Sequence, residues 1–376
     1  MHTETVSFRR IAADIAASCT LLVASILLIS HRTEAQSGAL TGIQTCLCVL
    51  VPSLFPFVIL SCVLTTTRIS PLLFRPISPV MRYLFRLPAC AAPALLFGLT
   101  LGYPIGIKIT SSLYADGRLT RAETARLLCF CTAPGYAFSL YAGTQLTGRT
   151  DSGILLFISC AAAPFLFGLL LSLFTPLPSR QFTPSPITHT FPEAVREGTS
   201  AMITMCSFLV LFSSVTAVLQ AAGVFRAAAA LLSRTGLTVP TANVILRFLL
   251  EVTSGLSHCA YWNLSPVLAA FGLGFGGLCI HLQFFSFFKK QTFPLPVPLY
   301  LLARLINGIL CAGVYSILSR LFPSAVETAG TGTPIPALSN NDPALSAVLL
   351  ALSLFFLLVC GSKNTAHEKQ HRIQTF

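Results

Sequence analysis

Ten apolar runs dominate the chain, at 11–30, 40–66, 89–107, 127–146, 153–175, 199–222, 240–260, 264–288, 294–321 and 343–360. A helix that crosses a bilayer needs roughly 20 mostly apolar residues, and most of these runs are that long. Only 10% of the residues are charged and 54% are hydrophobic, against about 25% charged in an ordinary soluble domain. The expected fold is an all-α polytopic membrane protein whose first partner is the lipid bilayer.

Two of the runs are irregular. The run 89–107 is bounded by Pro88 and Pro104, and the run 240–260 starts at Pro240 and holds Arg247 and Glu251. Both read as re-entrant or broken elements, leaving eight spanning helices. Proline removes a backbone donor and breaks a helix interior, as Pro52 and Pro56 of "VPSLFPF" should do by kinking the second span.

Basic residues orient the spans. The net charge is +12. No basic patch interleaved with aromatics suggests nucleic acid, and cytoplasmic loops collect Lys and Arg. Arg9 and Arg10, then Arg68, Arg75, Arg82 and Arg86, then Lys108, Arg118, Arg121 and Arg126 belong inside, as do Lys289, Lys290 and the tail with Lys363, Lys369 and Arg372. Both termini are therefore expected in the cytoplasm. The resulting divisions are an N-terminal anchor (1–39), a first half (40–175), a cytoplasmic linker (176–198), a second half (199–321), and an extracytoplasmic linker with last span and basic tail (322–376). One broken element opens inward and the other outward, an inverted-repeat arrangement. Residues 11–30 come after a basic flank as a signal peptide would, and "ASC" at 17–19 is a weak cleavage site. Asp14 and the length of the run favour an uncleaved first span.

Inverted halves with interrupted helices are how many secondary transporters build a site near the bilayer midplane. Backbone groups freed by the break must face protein or a wet cavity, since lipid cannot satisfy them. The candidate residues therefore cluster at the breaks. "LGYPIGIKIT" supplies Gly102, Pro104, Gly106 and Lys108. Lys108 is either an anion-attracting group or a lysine that reaches back to the interface. "FCTAPGYAF" supplies Thr132 and Pro134. "RFLLEVTSGLSH" supplies Glu251, Thr253, Ser254 and Gly255. Helical spacing pairs Glu251 with Arg247, so the acid is either functional or half of a buried structural ion pair. "GLGFGGLCIHLQFFSFF" supplies His281 and Gln283. Its glycines lack the strand of a dinucleotide loop and suit close helix packing. His281 either relays protons or bonds within the bundle.

Nothing points to an enzyme. There is no HExxH, no GxSxG and no usefully spaced pair of carboxylates. Ser257 and His258 are adjacent and would not face each other on a helix. The 13 cysteines lie mostly in apolar runs, where they act as small hydrophobes, and Cys129-x-Cys131 is not a redox or zinc motif. No disulfide, metal or cofactor is expected.

The ordered series "VPSLFPFVIL" (51–60), "PVMRYLFRLP" (79–88), "GYPIGIKIT" (102–110), "LTRAETARLLCF" (119–130), "LLEVTSGL" (249–256), "GFGGLCIHLQFFS" (274–286) and "LLARLINGIL" (301–310) resembles the YlbJ family of sporulation integral membrane proteins. That family sits with the nucleoside-recognition Gate domain proteins, relatives of concentrative nucleoside transporters. The resemblance implies two inverted hairpin elements and a role in endospore formation at the outer forespore membrane. It also implies transport of a small anion such as dipicolinic acid, with Lys108 as its electrostatic partner. Nucleoside transport and a non-transporting scaffold for sporulation partners are the alternatives. Coupling to Na⁺ or H⁺ is open, and trimeric relatives suggest a homo-oligomer. At "CTAPGY" (131–136) the chain departs from the family's Asn/Ser-rich run.

Overall fold

The computed structural model describes residues 8–66, 70–176, 190–288 and 297–325. Their elements are α-helices joined by short 3₁₀ and π turns. The expected last span at 343–360 lies outside these residues, as does most of the linker 176–198.

Helix α1 (Phe8–Ser30) runs into α2 (Arg32–Thr45), a π turn at Cys46–Leu50, and α3 (Val51–Thr66). Pro52 and Pro56 lack amide donors, and the π turn lies just before them. The short α4 (Ser70–Leu73) precedes a π turn at Val80–Leu84. Arg86 then takes a left-handed backbone, φ 51°, and the chain bends by 111° into Ala89–Thr100.

Beyond this bend the chain forms a helical hairpin. Helix α5 (Ala92–Thr100) and α6 (Tyr103–Ala115) meet at Gly102, where φ is 130°. A Cβ on Gly106 would lie 2.7 Å from the Gly98 Cα, so the two arms fold back on each other. An arm of nine or thirteen residues reaches roughly 14–20 Å at 1.5 Å per residue, short of the ~30 Å hydrocarbon layer. The reversal falls within the run 89–107, and the second arm extends beyond it to Ala115.

Helix α7 (Arg121–Leu128) opens with a capping box, Thr120 and Glu123 bonding each other's backbone. An extended stretch then leads to α8 (Tyr136–Thr147) and α9 (Thr150–Leu173). The run 127–146 is therefore not one span. Cys131 to Gly135 interrupt it, with Pro134 and Gly135 unsuited to continuing a helix.

Helix α10 (Phe191–Ala221) starts inside the segment read as a linker. It packs most extensively on α2, because Gly38 and Gly42 leave no side chain between them. A Cβ at either would come within 2.6–2.8 Å of the α10 backbone. Helix α11 (Val224–Leu232) connects to a second hairpin, α12 (Val239–Leu250) and α13 (Val252–Tyr261). Next comes a broken helix, α14 (Pro266–Phe275) and α15 (Gly277–Phe287), with Gly276 and Gly277 both at positive φ. Helix α16 (Val297–Leu321) closes the bundle against α14 and α9.

Five helices are long and apolar enough to span: Arg32–Leu64, Thr150–Leu173, Phe191–Ala221, Pro266–Phe287 and Val297–Leu321, or six if the bent pair Arg75–Leu84 plus Ala89–Thr100 counts. Of the eight expected from the apolar runs, the one at 343–360 lies outside the described residues, and five of the other seven correspond to these helices. The run 127–146 is broken, and the apolar stretch Leu21–Ser30 is short by itself.

Candidate functional site

The tips of the two hairpins meet at one cavity of about 70 Å³. Gly102 and Pro104 come from the first tip, and Glu251 and Thr253 from the second. Gly135, Phe138, Cys279 and Gln283 line it from the breaks. Leu50, Leu54, Met205 and Leu209 form the apolar wall opposite, on the π turn, α3 and α10. The cavity thus lies between the α2–α3–α10 block and the hairpin-bearing bundle.

Three helices begin at its wall: α6 at Gly102, α8 at Gly135 and α13 at Glu251, while α15 lines it further along its length with Cys279, Ile280 and Gln283. A helix N-terminus carries unsatisfied N–H groups and about half a positive charge. Two of the three have no side-chain cap. The third is capped from within. Glu251 Oε1 accepts from the Thr253 amide at 2.8 Å, while Oε2 accepts from the Thr253 hydroxyl at 2.6 Å and the Ser254 amide at 2.7 Å.

Glu251 does not pair with Arg247. Helix α12 ends at Leu250, and Glu251 is extended at φ −153°, ψ 128°, so the i, i+4 relation fails. Arg247 donates to Asn243 at 2.8 Å, to Ser254 at 3.0 Å and to Gln220.

Five of the twelve candidate residues line the cavity: Gly102, Pro104, Glu251, Thr253 and Gln283. The others sit elsewhere. Lys108 lies two turns down α6 in an adjoining cleft. That cleft is small, about 40 Å³ when open solvent is left out, and in it the Lys108 Nζ is 3.4 Å from Glu197 of α10 and donates to Cys62 at 3.2 Å. Pro104 and Met205 line both spaces. Gly106 is not part of the break. It lets the Cys131 carbonyl press against α6, since a Cβ there would be 2.1 Å from that oxygen. Gly255 is likewise helical and packs on Phe248, whose ring is gripped between Gly255 and Gly272. Ser254 and Pro134 are not in the cavity lining. His281 turns away, with Nδ1 3.2 Å from the Tyr300 hydroxyl and its ring edge-on to Phe275 at 4.8 Å. Its buried Nε2 has no partner among the described residues.

Thr132 belongs to a second polar centre, on the far side of the breaks. Arg304 of α16 is 2% exposed. It donates to the Thr132 carbonyl at 3.1 Å and hydroxyl at 2.6 Å, to Phe275 O at 3.1 Å and to Gly274 O. Asn307, one turn on, donates to Cys129 O at 2.8 Å. Tyr103 at the first tip donates to Leu273 O at 2.5 Å. Arg304, Asn307, Tyr103 and Glu197 were not singled out from the sequence. Arg304 carried a readable signal, an ionisable residue within the apolar run 294–321.

Among the described residues no group of three or more His, Cys, Asp or Glu gathers as a metal site would need. No protein-family model matches the chain, and no solved structure does. The chain is similar to the sporulation integral membrane protein YlbJ of Bacillus subtilis (strain 168), 26% identical over 342 residues that cover 78% of this chain and 81% of the relative. With the all-helical fold and its apolar helices, that similarity supports a multi-pass integral membrane protein.

Proposed function

We propose that the protein transports a small organic anion, a dicarboxylate of the dipicolinate type, across a membrane of the sporulating cell. The observation that carries this reading is the convergence of three helix N-termini on one cavity, two of them uncapped. Such ends bind carboxylate and phosphate groups through their amides and dipole. In transporters, half-helix N-termini point at anionic solute groups.

Glu251 is an internal example of the chemistry. Its carboxylate already sits on the N-terminus of α13, held by two amides and a hydroxyl. A solute carboxylate takes the equivalent place at the α6 or α8 end, with the Gln283 amide and the Thr253 region setting its orientation. The smooth wall of Leu50, Leu54, Met205 and Leu209 offers no polar hold at the cavity, so movement of the hairpin bundle against this block has to part polar contacts outside it, among them Lys108 with Glu197 and Cys62 and Arg247 with Gln220. The order hairpin, broken helix, long helix occurs twice, in α5–α9 and in α12–α16. We take the two as inverted repeats that exchange roles as access alternates. Lys108 acts here as a latch from α6 to Glu197 on α10 and not as a solute ligand.

Uptake of labelled dipicolinate into proteoliposomes tests the reading, with uridine alongside. We expect saturable dipicolinate uptake that uridine does not inhibit. Uridine uptake in its place would favour a nucleoside transporter. Uptake of neither, with folded protein, would leave a scaffold.

A further inference from the structure

The broken helices have C-terminal ends as well as N-terminal ones. The last four carbonyls of α14 are all taken. Gly272 O accepts from the Gly276 amide, Leu273 O from the Tyr103 hydroxyl, and Gly274 O and Phe275 O from Arg304. At the other break, Cys129 O accepts from Asn307 and Thr132 O from Arg304. One guanidinium therefore joins both breaks. It is 2% exposed, and the ion pairs among the described residues are Lys108–Glu197 and Arg149–Asp151. A buried charge needs compensation, and here backbone carbonyls and a threonine hydroxyl supply it. The negative end of the α14 dipole adds to them.

Unwound carbonyls and half-helix C-termini are where secondary transporters coordinate a coupling sodium. We propose that Arg304 is a built-in cation that fills this carbonyl-lined position, so that the solute moves without sodium. The proposal rests on the transport reading for its consequence, but not for its geometry. The guanidinium satisfies at once four oxygens that a sodium would otherwise draw together. It also holds the two breaks in register, so that the N-termini on the opposite side face one cavity. Arg304 is thus a positioning residue that never touches the solute.

The test is thermal melting of the purified full-length protein in sodium chloride against choline chloride at equal ionic strength. Melting needs no solute, so it stands apart from the uptake assay. The wild type is expected to melt at the same temperature in both salts. Arg304→Ala is expected to melt on the order of 5–10 °C lower, with guanidinium or sodium recovering at least about half of the loss in a saturable way. Arg304→Lys is expected to lie between the two without any added ion. Saturable stabilisation of the wild type by sodium and not by choline would overturn the proposal. So would an Arg304→Ala protein that no small cation rescues. If Arg304→Ala does not fold, the wild-type comparison and Arg304→Lys decide the matter. Sodium-insensitive melting with no dipicolinate uptake would sink the transport reading and leave the built-in cation standing.

Discussion

The two hairpins reach the same cavity by different means. The first turns at Gly102, whose φ of 130° excludes most side chains, and its arms close because Gly98 and Gly106 leave room for the Cys131 carbonyl between them. The second turns at Glu251 on an ordinary extended backbone, and its arms close on the Phe248 ring. The first tip has a bare helix N-terminus. The second carries its own carboxylate on that terminus. A bare end is open to an anion from outside, whereas a capped end is a finished piece of structure. On the proposed transport reading the hairpins divide the labour, the first for binding and the second for shaping the site.

The sharpest way to break that contrast is at the glycines that close the arms. Gly106→Ala puts a Cβ 2.1 Å from a backbone oxygen and 2.7 Å from the Gly98 backbone, neither of which can swing aside. We expect loss of several kcal/mol and little folded protein, read as the monodisperse fraction on size exclusion. Gly255→Ala meets only the Phe248 ring, at 2.5 Å, and should cost about 1–3 kcal/mol. In the double variant with Phe248→Leu that penalty should shrink, a coupling that a mutant cycle would measure.

Next in size is the cap. Glu251→Ala strips three hydrogen bonds from the α13 N-terminus. It should cost about 1–3 kcal/mol, seen as a lower melting temperature. Acetate or formate should recover part of that loss in Glu251→Ala and should leave the wild type unaffected. Absence of that recovery would remove the internal precedent for anion binding.

The smallest effect belongs to Lys108. Its side chain is 20% exposed and that of Glu197 is 42% exposed, so the pair is screened and worth at most about 1 kcal/mol. Lys108→Ala should barely change the melting temperature and should leave the half-saturation of uptake within about threefold. A rise of tenfold or more would return Lys108 to the solute site.

The sequence exposed the breaks because their chemistry is local. Gly102, Pro104 and Glu251 interrupt apolar runs in plain view, whereas the break at Gly276, in a glycine run that reads as packing within one span, shows only in the positive φ of Gly276 and Gly277. Span number was less legible, since hydropathy counts 127–146 as apolar whether or not Pro134 and Gly135 interrupt it. The site was half legible for the same reason. Gly102, Pro104, Glu251, Thr253 and Gln283 sit at or beside breaks and do line the cavity. Lys108 and His281 share those segments but point elsewhere, because helical phase is lost at a break whose backbone angles the sequence does not give. The supposed Arg247–Glu251 pair failed on that point. Arg304 and Asn307 act across about 170 residues of chain, and only the packing of α16 between the two breaks brings them into view.

The most direct test of the anion site is equilibrium binding of labelled dipicolinate to the purified protein, comparing wild type, Gln283→Leu and Lys108→Ala. We expect saturable binding that uridine does not displace, weakened about tenfold by Gln283→Leu and unchanged by Lys108→Ala. Binding lost in Lys108→Ala but kept in Gln283→Leu would place the anion in the wrong cavity. Absence of binding to folded wild-type protein would contradict the site altogether.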